Sequence, residues 1–358
     1  MTESKMTDLV KTGLSASTVP GETAVSRVLS VGIVGAGEIV SRIHLPVLTA
    51  CEGIRIVYVA DKNPAAARSV AGSYEVVPIT VADNAADSLD KLPQTDVVLL
   101  AVPVTARLPY YETFAERGTC VLAEKPLAAC GADAERICGL YPEYSLVCGF
   151  QRRSYASVAL ARLVVAENWF DRLRSISISE GALTTKTGAD SRFYDDTSGG
   201  GGVLMDLGCH SLDMAMYISN ATEAIPREQR FVYDGGVDRE VEAHLTLRTA
   251  HGSCELDYLV TWLRPAENTI ALHFDNCTAT LSCHPAQDLE IHGKNGHAAS
   301  SLTMKHAGAA TVYQAFYLEW TAFLEGVRGR RASMFNARSC LPTIRAVEAL
   351  YRAGKQNP

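Results

Sequence analysis

The sequence lacks the features that mark secreted, membrane-spanning and nucleic-acid-binding proteins. No stretch of its 358 residues approaches the roughly 20 consecutive apolar residues of a transmembrane helix. The first 26 residues mix both charge signs and contain no apolar core of the kind found in a secretory signal. Lysine and arginine are scattered through a chain of net charge −7, which argues against a surface that binds phosphate backbones or anionic lipid. We therefore expect a cytoplasmic protein that binds small molecules, with no nucleic-acid or membrane partner.

The ten cysteines also lack a recognisable pattern. No CxxC motif occurs, and several cysteines lie in apolar, strand-like segments such as YSLVCGF, as expected of reduced, buried thiols. Cys277, Cys283 and His284 come nearest to a ligand cluster, but their spacing matches no familiar zinc motif. We expect no metal site.

The length favours two domains, because the chain exceeds one average domain and 47% of its residues are hydrophobic. The sequence predicts a flexible tail over residues 1–26 and a dinucleotide-binding domain over 27–150. Residues 151–358 are expected to form a domain for substrate binding and oligomerisation.

Segments rich in Val, Ile and Leu alternate with helical patterns between Arg27 and Phe150, as in a parallel sheet with helices on both faces. The predicted strands are VLSVGIVG, IRIVYVAD, EVVPI, DVVLLAV, TCVLAE and SLVCGF. Four helices are predicted between these strands. The first ends at about Cys51, the second begins at Asn63 and Pro64, and the other two cover about Tyr110–Arg117 and Ala132–Leu140. The fold class is therefore α/β, with a doubly wound parallel sheet at the N-terminal end.

After Phe150 the pattern becomes that of an α+β domain with an open, mainly antiparallel sheet. A helix over Ser154–Glu167 precedes the strand LRSISIS, and VEAHLTLR alternates apolar and polar residues, as in a sheet with one buried face. AHGS at 250–253 predicts a hairpin turn. Two helices follow, at about Tyr313–Val327 and Ala337–Arg352. An open face of this sheet would be poorly solvated if apolar, so we expect a homodimer or homotetramer.

A glycine-rich turn follows the first strand, with the spacing Gly35-x-Gly37-x-x-Val40, and the second strand ends at Asp61. Glycines that open a helix allow a pyrophosphate to approach its N-terminus, and a carboxylate 24 residues after Gly37 stands where a ribose hydroxyl would bind. Asp61 favours NAD, although the nearby Lys62 and Arg68 leave NADP possible. Val40 departs from the third position of the motif, where Gly or Ala packs more closely.

The stretch SGGGGVLMDLGCHSLDMAMY sets Asp206, His210 and Asp213 into an apolar helical run. At 100° per residue, their spacing predicts three polar side chains within roughly 60° on one face. Gly199–Gly202 predict a close backbone approach and first-turn N–H groups that are open to an anion or hydroxyl. The face either lines a polar cavity or forms a satisfied Asp–His pair in a core helix.

Four segments, GIVGAGEIVSRIHLP, AEKPL, VCGFQRR and GGGGVLMDLGCHSLD, occur in an order and at separations that resemble the glucose–fructose oxidoreductase/inositol dehydrogenase (Gfo/Idh/MocA) family. The resemblance implies a Rossmann domain, a second α/β domain with an open antiparallel sheet, a nicotinamide cofactor, and sugars, cyclitols or related polyols as substrates. It implies that Lys125, Asp206 and His210 are catalytic and that the Lys125–Pro126 peptide is cis. The cofactor contacts that it implies are Gly35, Ala36, Gly37, Glu38, Ile39, Asp61, Lys62, Val102, Pro103, Arg107, Glu124 and Lys125. Many members carry His where this chain has Arg107, so Arg107 either disturbs contacts at the cofactor's edge or adds a positive group near the pyrophosphate.

The residue types fit the chemistry of secondary-alcohol oxidation. His210 is suited to carry the alcohol proton near neutral pH, Asp206 to orient the imidazole or bind a neighbouring hydroxyl, and Lys125 to stabilise charge on the reacting oxygen. We expect the three to converge on one pocket between the domains. Asp213 is either a substrate ligand or a structural partner. The other candidates for substrate binding are Arg152, Arg153, Lys186, Arg192 and Tyr194.

Two further functions remain open at this point. The cofactor could stay bound and assist glycoside cleavage by a transient oxidation, or the protein could be a non-catalytic sensor of sugar or dinucleotide. The joint presence of Lys125, Asp206 and His210 argues against a sensor, which needs no groups for proton transfer.

Overall fold

The structure of the protein is a computed structural model, and the residues that it describes are 27–81, 89–184, 201–293, 300–303 and 308–356. Two compact units make up the chain. The first contains the residues up to Leu127, Glu135–Gly149 and Val312–Arg338, and the second contains Ala128–Ala134, Phe150–Thr311 and the residues from Ser339 onward. The chain therefore passes between the units several times. It leaves the first unit at Ala128, re-enters it at Glu135, leaves it again at Phe150 and returns to it at Val312.

The elements up to residue 150 alternate between strand and helix as the sequence predicts. In chain order they are β1 (Leu29–Val34), a π-helix (Val40–His44) that runs into α1 (Leu45–Ala50), β2 (Ile54–Asp61), α2 (Pro64–Gly72), β3 (Val77–Thr80), a 3₁₀ turn (Leu89–Lys91), β4 (Val97–Leu100), a 3₁₀ turn (Val104–Ala106), α3 (Leu108–Glu116), β5 (Cys120–Ala123), α4 (Gly131–Gly139) and β6 (Leu146–Cys148). Asn63 caps α2, since its side-chain oxygen accepts hydrogen bonds from the N–H groups of Ala65 and Ala66.

The remaining elements form the second sheet and its helices. They are a 3₁₀ turn (Gln151–Ser154), α5 (Ala156–Ala166), β7 (Ser175–Gly181), a π-helix (Leu204–Gly208) that runs into α6 (Cys209–Ser219), β8 (Glu223–Asp234), β9 (Val237–Thr249), β10 (Gly252–Thr261), β11 (Thr269–His273), β12 (Cys277–Ser282), β13 (Asp288–Gly293), β14 (Ser300–Thr303), α7 (Val312–Gly329), a 3₁₀ turn (Ala337–Cys340) and α8 (Leu341–Gln356).

The first unit is built on a six-stranded sheet in the order β3-β2-β1-β4-β5-β6. Each neighbouring pair is parallel, which confirms the doubly wound sheet. Every residue of β4 and β5 is buried, as the uninterrupted apolar segments predict. The carboxyl ends of β2, β1, β4 and β5 lie side by side, so the loops that follow them share one edge of the sheet.

Helix α7 completes the core of the first unit although it comes late in the chain. Phe316, Trp320 and Phe323 belong to the same buried apolar cluster as Val31 of β1 and Leu99 of β4. This packing explains why Val312–Arg338 joins the first unit. Amphipathic periodicity predicts that a helix buries one face, but it does not say which sheet that face meets.

The second unit contains an eight-stranded sheet in the order β14-β13-β12-β11-β7-β10-β9-β8. Its pairs are antiparallel except for β7 with β10, so the mainly antiparallel sheet is confirmed. Strands β9 and β10 form the predicted hairpin, in which Thr249 pairs with Gly252. Val241, Ala243, Leu245 and Leu247 are buried, whereas Glu242, His244, Thr246 and Arg248, which alternate with them, are half-exposed or exposed.

One face of this sheet packs against helices α5, α6 and α8. The opposite face is mostly polar rather than apolar, and its half-exposed side chains include Ser177, Ser179, Glu242, His244 and Thr269. The argument that an apolar open face must be covered therefore does not apply to this sheet. None of the helices in the described ranges is both long and apolar enough to cross a membrane.

Asp238 holds the N-terminus of the helical segment that carries Asp206 and His210. Its Oδ1 accepts hydrogen bonds from the Gly202 N–H at 3.0 Å and from the Tyr351 hydroxyl at 2.9 Å, and its Oδ2 accepts one from the Leu204 N–H at 2.8 Å. A Cβ on Gly202 would lie 2.1 Å from the Asp238 carbonyl oxygen, so this approach requires glycine. These N–H groups are occupied, which corrects the expectation that they are open to an external anion; Gly199 and Gly200 lie outside the described residues.

Substitution of Asp238 by Ala is expected to lower the free energy of unfolding by about 1–3 kcal/mol, because it leaves buried N–H groups without their acceptor. Urea denaturation followed by circular dichroism measures the change. Asp234→Ala is the matched control, because Asp234 is exposed on the adjoining hairpin and should change stability by less than about 0.5 kcal/mol. Equal stability of the two variants would show that Asp238 does not support the helix.

Candidate dinucleotide and catalytic sites

The glycine-rich turn after β1 is tight for steric reasons. Gly35 has a φ of +106°, and a Cβ there would lie 2.4 Å from the carbonyl oxygen of Ala101, so no other residue fits. A Cβ on Gly37 would meet no atom within 4 Å, so there is open space beside this residue. Glu38 and Ile39, the first helical residues, are exposed, and helix geometry leaves first-turn N–H groups without intrahelical acceptors. This arrangement suits the pyrophosphate of a dinucleotide.

Val40, which departs from the Gly or Ala of the motif, is fully buried and begins the π-helix. The turn is therefore wider where the larger side chain packs, and the helix regains α geometry at Leu45. The sequence pattern carried no signal for this widening.

Asp61 lies at the end of β2 and supports the turn directly. Its Oδ2 accepts a hydrogen bond from the Ala36 N–H at 2.7 Å, and its Oδ1 accepts one from the Asn63 N–H at 2.8 Å. Each carboxylate oxygen has two lone pairs, so Asp61 keeps acceptor capacity for ribose hydroxyls. Lys62 is exposed beside it, and Val102 and Pro103 are half-buried after β4. The residues at this edge thus fit the pyrophosphate and the adenosine ribose of NAD.

Arg107, expected at the edge of the cofactor, is instead buried in the protein framework, with 4% of the residue exposed. Its Nε donates to the Val102 carbonyl at 2.7 Å, and its Nη1 donates to the carbonyls of Glu124 and Pro126. The guanidinium therefore binds the loops after β4 and β5. This placement disfavours both earlier interpretations of Arg107, since its donors are directed at backbone carbonyls.

Lys125 follows β5 and is half-buried, and its peptide bond to Pro126 is cis, as the resemblance implied. Glu124, just before it, is buried, and its Oε2 accepts the Lys125 N–H at 3.1 Å. Its Oε1 lies 2.8 Å from Nε2 of His44, and Nδ1 of His44 accepts the indole N–H of Trp320 at 2.9 Å.

The pKa of Glu124 lies below its ordinary value. Burial alone would raise this pKa, but the hydrogen bond from His44 and the positive charges of Lys125 and Arg107 outweigh burial. Glu124 is therefore a carboxylate at neutral pH and accepts hydrogen bonds through both oxygens. His44 and Trp320 were not predicted as site residues; His44 stands in the quoted segment GIVGAGEIVSRIHLP, but nothing in the spacing pairs it with residues 80 and 276 positions away.

Asp206 and His210 lie on one continuous helical segment of the second unit. Asp206 is in the π-helix Leu204–Gly208 and is half-buried, and His210 is the second residue of α6 with 7% exposed. The imidazole packs edge-on against the ring of Phe150, with centroids 5.8 Å apart. Because π geometry bonds residue i to residue i+5, the angles calculated for an ideal α-helix do not hold across this segment.

Asp213 and Arg153 form a buried ion pair. Nε of Arg153 donates to Oδ2 of Asp213 at 2.7 Å, Nη2 donates to Oδ1 at 2.6 Å, and the Thr343 hydroxyl also donates to Oδ1. Only 1% of Asp213 is exposed. The geometry favours the structural alternative for Asp213 and for Arg153 over substrate binding.

Arg152 is directed at a second buried carboxylate. Its Nη1 donates to Oε1 of Glu180 at 2.6 Å and to the Cys283 carbonyl at 3.4 Å. Glu180, the last residue of the segment LRSISISE and the next-to-last residue of β7, was not predicted as a partner. Lys186, Arg192 and Tyr194 lie outside the described residues.

The described residues contain no group of three or more His, Cys, Asp or Glu side chains arranged to hold a metal ion. All ten cysteines are described, and none forms a disulfide.

Two family models match successive parts of the chain. Residues 29–151 match the GFO_IDH_MocA family, described as "Oxidoreductase family, NAD-binding Rossmann fold", and residues 158–299 match the "GFO/IDH/MocA C-terminal domain". A dTDP-3,4-didehydro-2,6-dideoxy-alpha-D-glucose 3-reductase from Streptomyces antibioticus is 29% identical over 63% of this chain and 66% of its own. The inositol 2-dehydrogenase of Rhizobium meliloti is 28% identical over 52% of this chain and 54% of its own. The matched segments thus span between about half and two thirds of these relatives.

Solved structures share the fold over nearly the whole chain. An aldose-aldose oxidoreductase from Caulobacter crescentus, in complex with glycerol, superposes with a TM-score of 0.78 at 19% identity, covering 93% of this chain and 99% of its own. The 3-ketoreductase KijD10 from Actinomadura kijaniata, in complex with NADP and TDP-benzene, gives a TM-score of 0.75 at 20% identity, covering 91% and 97%. Taken with the family matches, the chain belongs to the GFO/IDH/MocA family of oxidoreductases and carries its NAD-binding Rossmann fold.

Proposed function

We propose that the protein is an NAD(P)-dependent oxidoreductase that interconverts a secondary alcohol and a ketone on a sugar, cyclitol or related polyol. The observation that carries the proposal is the position of Lys125 after β5, at the same sheet edge as the Gly35–Gly37 turn and Asp61. Ligands of doubly wound sheets bind at this edge. The relatives named above act on sugars and inositol by their names, which supports this substrate class.

Each of the three candidate residues has a distinct task in this proposal. The nicotinamide, when bound, accepts or donates the hydride. His210 takes the proton from the alcohol in oxidation or returns it to the carbonyl oxygen in reduction. Lys125 donates a hydrogen bond to the reacting oxygen and stabilises negative charge on it, and Asp206 orients the imidazole or binds a neighbouring hydroxyl.

A spectrophotometric screen tests the proposal with NAD, NADP and their reduced forms against sugars, keto sugars, inositols and other polyols. We expect cofactor-dependent turnover of at least one such compound. Glycoside cleavage without net NADH formation would instead support cofactor-assisted hydrolysis. Cofactor and sugar binding with no turnover of any kind would support a sensor.

Lys125→Ala and His210→Ala are each expected to lower kcat by about 10²–10⁴-fold, the usual effect of losing a positioned proton carrier or charge stabiliser. The dissociation constant of NADH, measured by fluorescence titration, should change little because neither residue holds the adenosine diphosphate part. His251→Ala, at the exposed β9–β10 turn, is the control and should retain parental kcat. A His210 variant with the parental kcat would contradict its role.

Asp61→Asn is expected to weaken NAD binding by about 10–100-fold, because hydrogen bonds to a charged acceptor contribute about 1.5–3 kcal/mol. The affinity for NADP should fall less, since the variant removes the charge that repels a 2′-phosphate. Fluorescence titration with NADH and NADPH measures both constants. If the parent already prefers NADPH by tenfold or more, the proposed role of Asp61 is incorrect.

We also propose that the polar open face of the second sheet joins two copies of the chain, since symmetric dimers are the commonest oligomers and polar interfaces are often hydrated. Ala271 is half-buried on β11 in the middle of this face. Ala271→Arg should therefore convert a dimer or tetramer into a smaller species in sedimentation-velocity experiments. Ser73→Arg, on the surface of the first unit, should leave the distribution unchanged. A monomeric parent at micromolar concentration would refute the proposal.

A further inference from the structure

Two buried groups hold the loop around Lys125 from different directions, and the mechanism proposed above uses neither of them. We propose that Arg107 and the His44–Trp320 pair are positioning residues that fix the direction in which Lys125 leaves the sheet. This inference rests on the proposed function, in which Lys125 contacts the reacting oxygen.

Arg107 acts on the backbone on both sides of Lys125. Its Nη1 donates to the carbonyl of Glu124, the residue before Lys125, and to the carbonyl of Pro126, the residue after it. Its Nε donates to the Val102 carbonyl, in the loop after β4. A guanidinium is planar and presents its donors in a fixed fork, so one rigid group sets the separation of three carbonyls. Lysine could not reproduce this geometry, because its ammonium is a single point of charge on a flexible stem.

His44 acts through the side chain of Glu124. An indole N–H can only donate, so Nδ1 of His44, 2.9 Å from Nε1 of Trp320, must be an acceptor and carry no proton. The imidazole is therefore neutral, with its proton on Nε2, and it donates to Oε1 of Glu124 at 2.8 Å. The other carboxylate oxygen accepts the Lys125 N–H. A continuous chain of hydrogen bonds thus connects Trp320 through His44 to Glu124, whose carboxylate accepts from His44 on one side and from the backbone of Lys125 on the other.

The surroundings make this chain rigid. His44 and Trp320 are fully buried, and Glu124 is nearly so. The ring of His44 packs edge-on against Phe316 and Trp320, with centroid distances of 5.0 and 6.0 Å. The last residue of the π-helix, His44, is in this way held by α7 and in turn holds the loop after β5. The first unit therefore contains the whole positioning network.

The expected consequence is a loss of rate rather than of cofactor affinity. A displacement of a catalytic group by about 1 Å can lower turnover by about 10²-fold while binding contacts elsewhere persist. Removal of the Arg107 fork should therefore lower kcat by about 10–100-fold and change the dissociation constant of NADH by less than about threefold. A direct contact between Arg107 and the cofactor would produce the opposite pattern.

The experiment compares Arg107→Met, Arg107→Lys and the matched control Arg117→Met. Arg117 likewise donates to two backbone carbonyls of the first unit, those of Leu89 and Leu92 at 3.0 Å, but it does not touch the Lys125 loop. All three variants are expected to melt at lower temperature than the parent. Only the two Arg107 variants should lose kcat, and Arg107→Lys should not restore it. Parental kcat in Arg107→Met, full recovery in Arg107→Lys, or a rise in the NADH dissociation constant with unchanged kcat would each overturn the role of Arg107.

The role of His44 is tested by an additional measurement that does not depend on turnover. In the cofactor-free parent, ¹⁵N NMR of labelled histidine should show His44 as the neutral tautomer protonated at Nε2. His44→Gln can still donate to Glu124 and should retain more kcat than His44→Phe, which cannot. An imidazolium or an Nδ1-protonated ring at neutral pH, or equal kcat in the two variants, would overturn the role of His44.

A labelling measurement separates failure of this inference from failure of the proposed function. The rate at which N-hydroxysuccinimidyl acetate acetylates Lys125 in the cofactor-free protein, followed by peptide mass spectrometry, reports the accessibility of its amine without any substrate. We expect a rate several-fold above the parental one in Arg107→Met and a parental rate in Arg117→Met. If Lys125→Ala keeps parental kcat while these rates differ, the proposed function fails and the positioning contacts stand. If Lys125→Ala is inactive and the rates are equal, the positioning role fails and the function stands.

Discussion

The need to satisfy buried carboxylates organises much of this molecule. Removing a carboxylate from water costs several kcal/mol unless protein donors replace the lost hydration, so each such group binds the segments around it. Asp61 holds the glycine-rich turn through the Ala36 N–H, and Glu124 holds the backbone of Lys125. Asp238 holds the start of the helical segment that carries Asp206 and His210. The carboxylates that shape the proposed site thus accept hydrogen bonds from the protein itself before any ligand binds.

The donors around each acid decide how it responds to burial. The pKa of Glu124 is lowered, because the charges of Lys125 and Arg107 and the hydrogen bond from His44 outweigh desolvation. The pKa of Asp238 is raised, because desolvation exceeds the effect of donors that are all neutral: the backbone N–H groups of Leu204, Gly202 and Asp238 itself, and the Tyr351 hydroxyl. The two carboxyl groups are therefore similarly buried, but their pKa values shift in opposite directions. A full charge next to Lys125 strengthens the hydrogen bonds that orient its loop, whereas a cap at a helix N-terminus needs only acceptors.

The parts of this architecture that the sequence predicted are those that depend on local pattern. The six parallel strands, the β9–β10 hairpin and the Asn63 cap follow from apolar runs, turn residues and an N-cap residue before proline. The parts that it did not predict join residues far apart in the chain. Asp238 is 36 positions from Gly202, and α7 returns to the first unit to place Trp320 against His44. No periodicity within a segment records which distant segment it meets.

The two π-helices among the described residues show a second limit of local pattern, and both occur one turn after a glycine. A π turn inserts one residue relative to an α turn, which re-aims every side chain that precedes it relative to those that follow. His44 ends the first π-helix and is directed into the first unit's core, while His210 lies just beyond the second. An α-helical projection can identify the residues available for a polar face, but it misplaces them by the inserted residue. The relative directions of Asp206 and His210 are therefore set by the widened turn and not by their spacing alone.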